Sequence, residues 1–283
     1  MDASVNAAAS PAGRRTLTGF FVLLAVFLYT PILVLTIFSF NDSLLVTFPL
    51  SGFTTRWYRL LLENEQLISA LETSAGVAAV SSLIAVSLGV LAAYAISRRR
   101  FRGKGAASGL FLAPLVIPYV VFGIALLILF RAVDDFLIPR LGIYFGLGLH
   151  AIVIGHVVVS LPYTILTISP RLDRLGVGIE EAARDLGAST ASTFRRVTLP
   201  LLIPALVSAY LIAFTLSFDE YAIASFVAGD STTYPLFLYG QVRIRIGLPQ
   251  MIAVSVIVLI ASMALVVGTE AWRRRAERRL GSA

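Results

Sequence analysis

The chain has 283 residues, of which 58% are hydrophobic and only 14% charged, with a mean hydropathy of +0.87; a soluble domain sits nearer to about 45–50% apolar and about 25% charged. That balance excludes a water-solvated globular domain and makes lipid the solvent. The formal net charge of +7 does not signal a nucleic-acid partner, because the basic residues fall in alternate loops between apolar runs, and the lack of cysteine excludes disulfides and thiolate metal sites.

Six apolar runs lie at 17–40, 67–97, 106–130, 147–169, 201–227 and 251–271. Each is long enough, at 1.5 Å per helical residue, to cross a hydrocarbon core of about 30 Å. They are too long and too continuously apolar for tilted barrel strands of about ten residues, so all six are predicted to be helices in an all-α membrane protein.

The segment 1–16 carries Arg14 and Arg15. The run that follows is about twice a secretory h-region and has no small-residue cleavage site, which predicts a retained helix. The loop 41–66 is the longest connection on its side, and Trp57 and Tyr58 in it suit interfacial anchors. The second run carries Glu72 near its start and ends in Arg98, Arg99, Arg100, Arg102 and Lys104. In the third and fourth runs, Tyr119 follows Pro118 and Tyr163 follows Pro162. Proline removes a backbone donor and crowds the preceding turn, so both spans are expected to kink there, with the two rings either lining a passage or packing between helices. His150 and His156 are six residues apart, about 120° around a helix, so they do not share a metal; His156 is expected to hydrogen-bond to a neighbouring helix. Gly89, Gly109, Gly123 and Gly155 are read as points of close helix approach.

Seventeen of the Lys and Arg residues fall on one side of this arrangement and six on the other, which predicts both termini in the cytoplasm. The expected organisation is a cytoplasmic segment 1–16, a six-helix domain 17–271 with a cytoplasmic loop at 170–200, and a basic tail 272–283. In that loop Glu180 and Arg184 are spaced i,i+4 for a side-chain pair of about 0.2–0.5 kcal/mol, while Glu181 faces Asp185. Gly187 can end a helix in the left-handed conformation, Ser189 can cap the next, and Leu199-Pro200 marks its boundary with the fifth run. The pattern reads helix, tight turn, helix.

These residues resemble a known family, the permease subunits of ATP-binding-cassette (ABC) importers. Its signature is Glu-Ala-Ala, three residues, Gly, nine residues, an aliphatic residue, one residue, Leu-Pro. Glu181, Ala182, Ala183, Gly187, Val197, Leu199 and Pro200 match every position. The resemblance implies the type I importer permease architecture in a bacterial inner membrane, with this loop as the coupling element that docks in a groove of an ATPase subunit. Glu181 would pair with a basic residue there. The implied partners are a second homologous permease, two ATP-binding-cassette ATPases that hold the ATP and Mg, an extracytoplasmic substrate-binding protein and the lipid bilayer, with no nucleic acid. The chain itself lacks a phosphate loop: Arg102-Gly103-Lys104-Gly105 has neither its spacing nor its hydroxyl. No catalytic site is expected in it.

The resemblance covers most of the chain from about Arg56 onward and is nearest to the spermidine/putrescine permeases. Trp57-Tyr58, Ser97-Arg98 to Arg102-Gly103-Lys104, and Ser217-Phe218-Asp219-Glu220 leading to Ser225-Phe226-Val227 carry it. It implies a substrate-path role for Asp219 and Tyr163. Physically, Asp219 lies 18 residues beyond Leu201, about 27 Å along a straight helix. An acid at that depth faces a cavity, a partner or water. Asp219 with Glu220 or Glu72 would then favour an amine cation; alternatively these acids are solvated or paired with Arg243 or Arg245. Another organic amine, amino acid or small solute as cargo, and an ion-coupled secondary transporter, are the competing readings; the last gives the loop motif no role and finds no internal repeat.

Overall fold

The computed structural model describes residues 11–242 and 247–281. The expectations for residues 1–10 of the N-terminal segment, for Arg243 and Arg245, and for residues 282–283 of the tail lie outside the described residues, as do those for the tail's arginine side chains. The described chain is all-helical. In order it forms α1 (Pro11–Phe38), α2 (Arg56–Leu62), α3 (Glu65–Arg98), α4 (Lys104–Leu112), α5 (Tyr119–Leu141), α6 (Leu149–Leu175), α7 (Gly178–Asp185), α8 (Thr190–Thr193), α9 (Leu199–Phe218), α10 (Ala224–Val227), α11 (Tyr234–Val242) and α12 (Leu248–Gly281). Five of these stretches are long and apolar enough to cross a membrane, or six if α4 and α5 form one bent span.

The chain divides into two compact units, Met1–Asn64 with Gln241–Ile260, and Glu65–Gly240 with Ala261–Ala283. In the first unit α1 presents Phe20, Phe21 and Phe27 outward, as lipid solvation allows. Trp57 departs from the expected interfacial anchor. Its ring is buried, with Nε1 donating to the Asn41 carbonyl at 2.9 Å, while the Asn41 side chain accepts from Ser51 N at 2.9 Å. The indole closes the 41–66 loop onto itself because a buried N–H requires a partner. Tyr58 likewise bonds Ser39 Oγ at 2.6 Å.

The second unit is built on α3, α6 and α9, which pack against one another. Small residues make the approach possible: α3 buries Ala78, Ser81, Ser82, Ala85, Gly89 and Ala93 along one face. A Cβ added at Gly89 would lie 2.0 Å from Thr164 Oγ1, and one at Gly155 would meet Ile223 at 2.7 Å. Gly123 is equally tight against Phe226. Gly109 is not a contact point, since nothing lies within 4 Å of its would-be Cβ. One cluster of this core holds Leu172, Ile168 and Leu202; the other holds Phe130, Ile152, Ile223 and Val227.

Three spans compare with the sequence expectation in different ways. The third is not one helix: Lys104–Leu115 and Tyr119–Leu141 meet at 106°. Pro118 sits before α5 with φ −57° and ψ 131°, and a proline both lacks an N–H and drives the residue before it out of the helical region. The fourth, α6, runs unbroken through Pro162. The fifth stops at Phe218 instead of reaching 227. There the Glu220 carboxylate accepts from Ile223 N at 2.8 Å and Ala224 N at 3.1 Å. Those two amides would otherwise bond the carbonyls of residues 219 and 220, so the side chain ends one helix and opens the next.

Candidate functional site

The motif loop connects α6 to α9. α7 ends at a left-handed turn in which Gly187 has φ +89°, its N–H bonding the Arg184 carbonyl at 2.8 Å and the Ala188 N–H bonding the Ala183 carbonyl at 3.1 Å. This paired closure satisfies the last carbonyls of α7 and favours glycine at that position. Ser189 Oγ then accepts from Ser192 N at 3.2 Å to cap α8. One π turn, Phe194–Thr198, carries the chain directly into α9, and Pro200, which has no N–H to give the preceding turn, follows immediately after it.

The two neighbouring acids of α7 have opposite surroundings. Glu181 is exposed, as are Ala182, Gly187 and Pro200, while Ala183 and Leu199 are half-buried. Glu180 is the one buried residue of α7. Its carboxylate takes a hydrogen bond from Arg98 Nε at 3.0 Å, from Tyr94 Oη at 3.2 Å and from Thr198 Oγ1 at 3.2 Å. The expected Glu180 to Arg184 side-chain pair therefore does not form: Arg184 Nε bonds the Glu180 backbone carbonyl at 3.2 Å, and the carboxylate belongs to Arg98. Sequence reasoning did not bring Glu180 and Arg98 together. The available signal was helical phase, since Glu180 stands three residues before the inward-leaning Ala183.

Around Glu181 the loop exposes aliphatic side chains as well: Val177 is 50%, Ile179 47% and Leu186 90% exposed. Beside them a recess of about 260 Å³ opens between α3 and the loop, walled by Tyr94, Arg99, Glu181 and Arg184. An apolar rim with an acid and two arginines at its centre has the composition of a protein-binding surface.

At the far end of α9 the second acid pair repeats the division. Asp219, the residue after α9, is exposed, and its carboxylate has no hydrogen-bond or ion-pair partner among the described residues. Glu220 is buried and lies 3.2 Å from His156 Nε2 on α6. His156 Nδ1 contacts Ser217 Oγ at 2.7 Å, which in turn meets Ser81 Oγ of α3 at 2.9 Å. His156 thus bonds to a neighbouring helix as expected, and Glu220 is part of the framework joining α3, α6 and α9. His150 stays apart, against the Gly146 carbonyl at 3.3 Å.

Tyr119, at the bend before α5, meets Tyr163 of α6 with hydroxyls 3.5 Å apart, and both rings are half-buried. Glu72 is exposed on α3 and forms no ion pair or hydrogen bond with Asp219 or Glu220. The structure thus brings Glu220 to His156 and Tyr119 to Tyr163, and leaves Asp219 and Glu72 exposed, joined neither to each other nor to Glu220.

Residues 85–282 match the family of binding-protein-dependent transport system inner membrane components. The chain is similar to the spermidine/putrescine transport system permease protein PotC of Escherichia coli (strain K12), with 36% identity over 261 residues, 91% of this chain and 94% of that protein. It is 41% identical over 248 residues to the putrescine transport system permease protein PotI of the same strain, covering 87% of this chain and 85% of that protein. Its fold is also that of a chain in the crystal structure of a bacterial ABC transporter involved in the import of the acidic polysaccharide alginate, with a TM-score of 0.67 and 18% identity over 92% of this chain and 98% of that one.

Proposed function

The chain belongs to the family of binding-protein-dependent transport system inner membrane components, and from that premise we propose that it is the permease subunit of an ATP-driven importer for polyamines. It forms half of the pathway, opposite a second homologous permease. Two ATPase subunits bind and hydrolyse ATP with Mg, and an extracytoplasmic binding protein delivers the cargo. Both termini and the motif loop lie on the cytoplasmic side.

The observation that carries the permease reading is the exposed Glu181 set among the exposed Val177, Ile179 and Leu186 on a loop fixed to the span ends. Aliphatic side chains held outside the spans have neither lipid nor a core to enter, so a protein partner covers them. Glu181 supplies the charge that orients a basic group of that partner. ATP binding draws the docked loops together and opens the spans outward, and hydrolysis resets them. The polyamine assignment is supported by the relatives named for spermidine and putrescine transport and by the exposed carboxylate of Asp219, which has no partner among the described residues and favours a cation beside the end of α9. Glu72 adds to that negative field, and the Tyr119–Tyr163 pair offers two aromatic faces to an ammonium group.

The test is ATP-dependent uptake of labelled putrescine or spermidine into vesicles holding the chain with ATPase, permease and binding-protein partners. Uptake by wild type, and its loss in Glu181→Ala with the protein still inserted, is the expected result. ATP-independent uptake indifferent to Glu181 overturns the mechanism; ATP-driven transport of another solute changes only the cargo.

A further inference from the structure

Arg98 is the last residue of α3, and its single guanidinium serves two other elements. Nε bonds the Glu180 carboxylate of α7 at 3.0 Å, while Nη2 donates to the Leu172 carbonyl at 2.7 Å and the Gly176 carbonyl at 3.0 Å, both at the end of α6. From the other side, Glu180 accepts from Thr198, the residue immediately before α9, and from Tyr94, one turn back on α3. Two side chains therefore join the motif helix to the ends of all three packed spans. Their exposure is only 7% and 8%.

The pair's burial is not explained by stability, because an ion pair in such a place is commonly no better than apolar residues of the same volume. What a fully hydrogen-bonded pair adds is direction, since each bond fixes a distance and an angle. α7 itself has little else to hold it: it is eight residues long and Glu180 is its one buried side chain. A push or pull on α7 then reaches the spans through this carboxylate and not through a broad apolar contact.

We infer that Glu180 and Arg98 are positioning residues that transmit movement of the docked loop to α3, α6 and α9 as one body, a role separate from docking by Glu181. The inference rests on the reading that this loop docks an ATPase subunit. Glu181 holds the partner, and Glu180 holds the spans to Glu181's helix.

The test is the number of ATP molecules hydrolysed per cargo molecule taken up by the reconstituted complex, with bound ATPase subunits counted in parallel. In Glu180→Gln and Arg98→Gln the ATPase subunits stay bound at wild-type amounts and the ratio rises about tenfold or more; the double variant is no worse than the worse single one, as for two residues acting as a unit. Tyr94→Phe and Thr198→Val, which each delete one hydroxyl and keep the shape, raise the ratio about two- to threefold, so the inference does not depend on variants that lose the charge. Bound ATPase with a wild-type ratio in the single variants, or losses that multiply in the double variant, overturns it. A wild-type chain that recruits no ATPase subunit instead overturns the docking reading, and the inference with it.

Discussion

The two ends of α9 each lie beside two acids adjacent in sequence, Glu180-Glu181 at one end and Asp219-Glu220 at the other. In both pairs one acid is buried and fully engaged, and its neighbour is exposed. The buried members differ in what holds them. Glu180 meets an arginine that is always charged, together with two hydroxyls, whereas Glu220 meets a histidine and two backbone amides. The first arrangement ties a loop to the spans and the second turns the chain after α9. The exposed members, Glu181 and Asp219, have no side-chain partner among the described residues, and the proposed function gives each a partner outside the chain.

That contrast can be broken by substitutions, beginning with the largest effect. Glu220→Ala would leave His156 and the amides of Ile223 and Ala224 unanswered in a buried place. Removing one partner of such a pair typically costs about 3–5 kcal/mol. A marked fall in the unfolding midpoint of the detergent-purified chain is expected, and an unchanged midpoint would mean that the Glu220 network is not structural. Gly89→Ala comes next, because the new methyl would stand 2.0 Å from Thr164 Oγ1. Overpacking of this kind costs about 1–3 kcal/mol, read in the same denaturation experiment. Gly187→Ala forces a side chain into φ +89°, a cost of about 1–2 kcal/mol confined to the loop. Hydrogen exchange should show it as faster opening of α7 with the spans unchanged.

The exposed acids should behave in the opposite way. Glu181→Ala and Asp219→Asn are each expected to shift stability by no more than about 0.5 kcal/mol, as is usual for surface positions. Their effects belong in function: loss of ATPase subunits on co-purification for Glu181→Ala, and a drop of about tenfold in polyamine uptake for Asp219→Asn, the scale of a lost charge contact. If Asp219→Asn destabilised the chain as much as Glu220→Ala, the division between the neighbours would disappear.

Much of this was legible in the sequence. The spans were readable because apolar runs of membrane length have few alternatives, and the loop was readable because its spacings are local: Gly187 turns and Ser189 caps where the motif puts them. Glu180 was misassigned to Arg184 because an i,i+4 spacing is visible in one dimension, whereas its actual partner Arg98 is 82 residues away. The division between Asp219 and Glu220 was hidden for a similar reason, since only the end of α9 decides which of the two turns toward His156. Pro118 signalled a disturbance in the third span but not a bend of 106°, which depends on what α5 packs against. Trp57 looked like an interfacial ring because composition alone does not reveal that the Asn41 carbonyl waits for its N–H.

The most direct measurement uses the chain's lack of cysteine. Asp219→Cys and Ser217→Cys each introduce a single thiol, two residues apart, which a membrane-impermeant maleimide can be offered from the outer side of intact cells. The exposed position 219 should be modified and the buried position 217 spared. A chain in which 219 is untouched, or 217 reacts as readily, would contradict the reading that Asp219 is open to the outer side while Ser217 is buried.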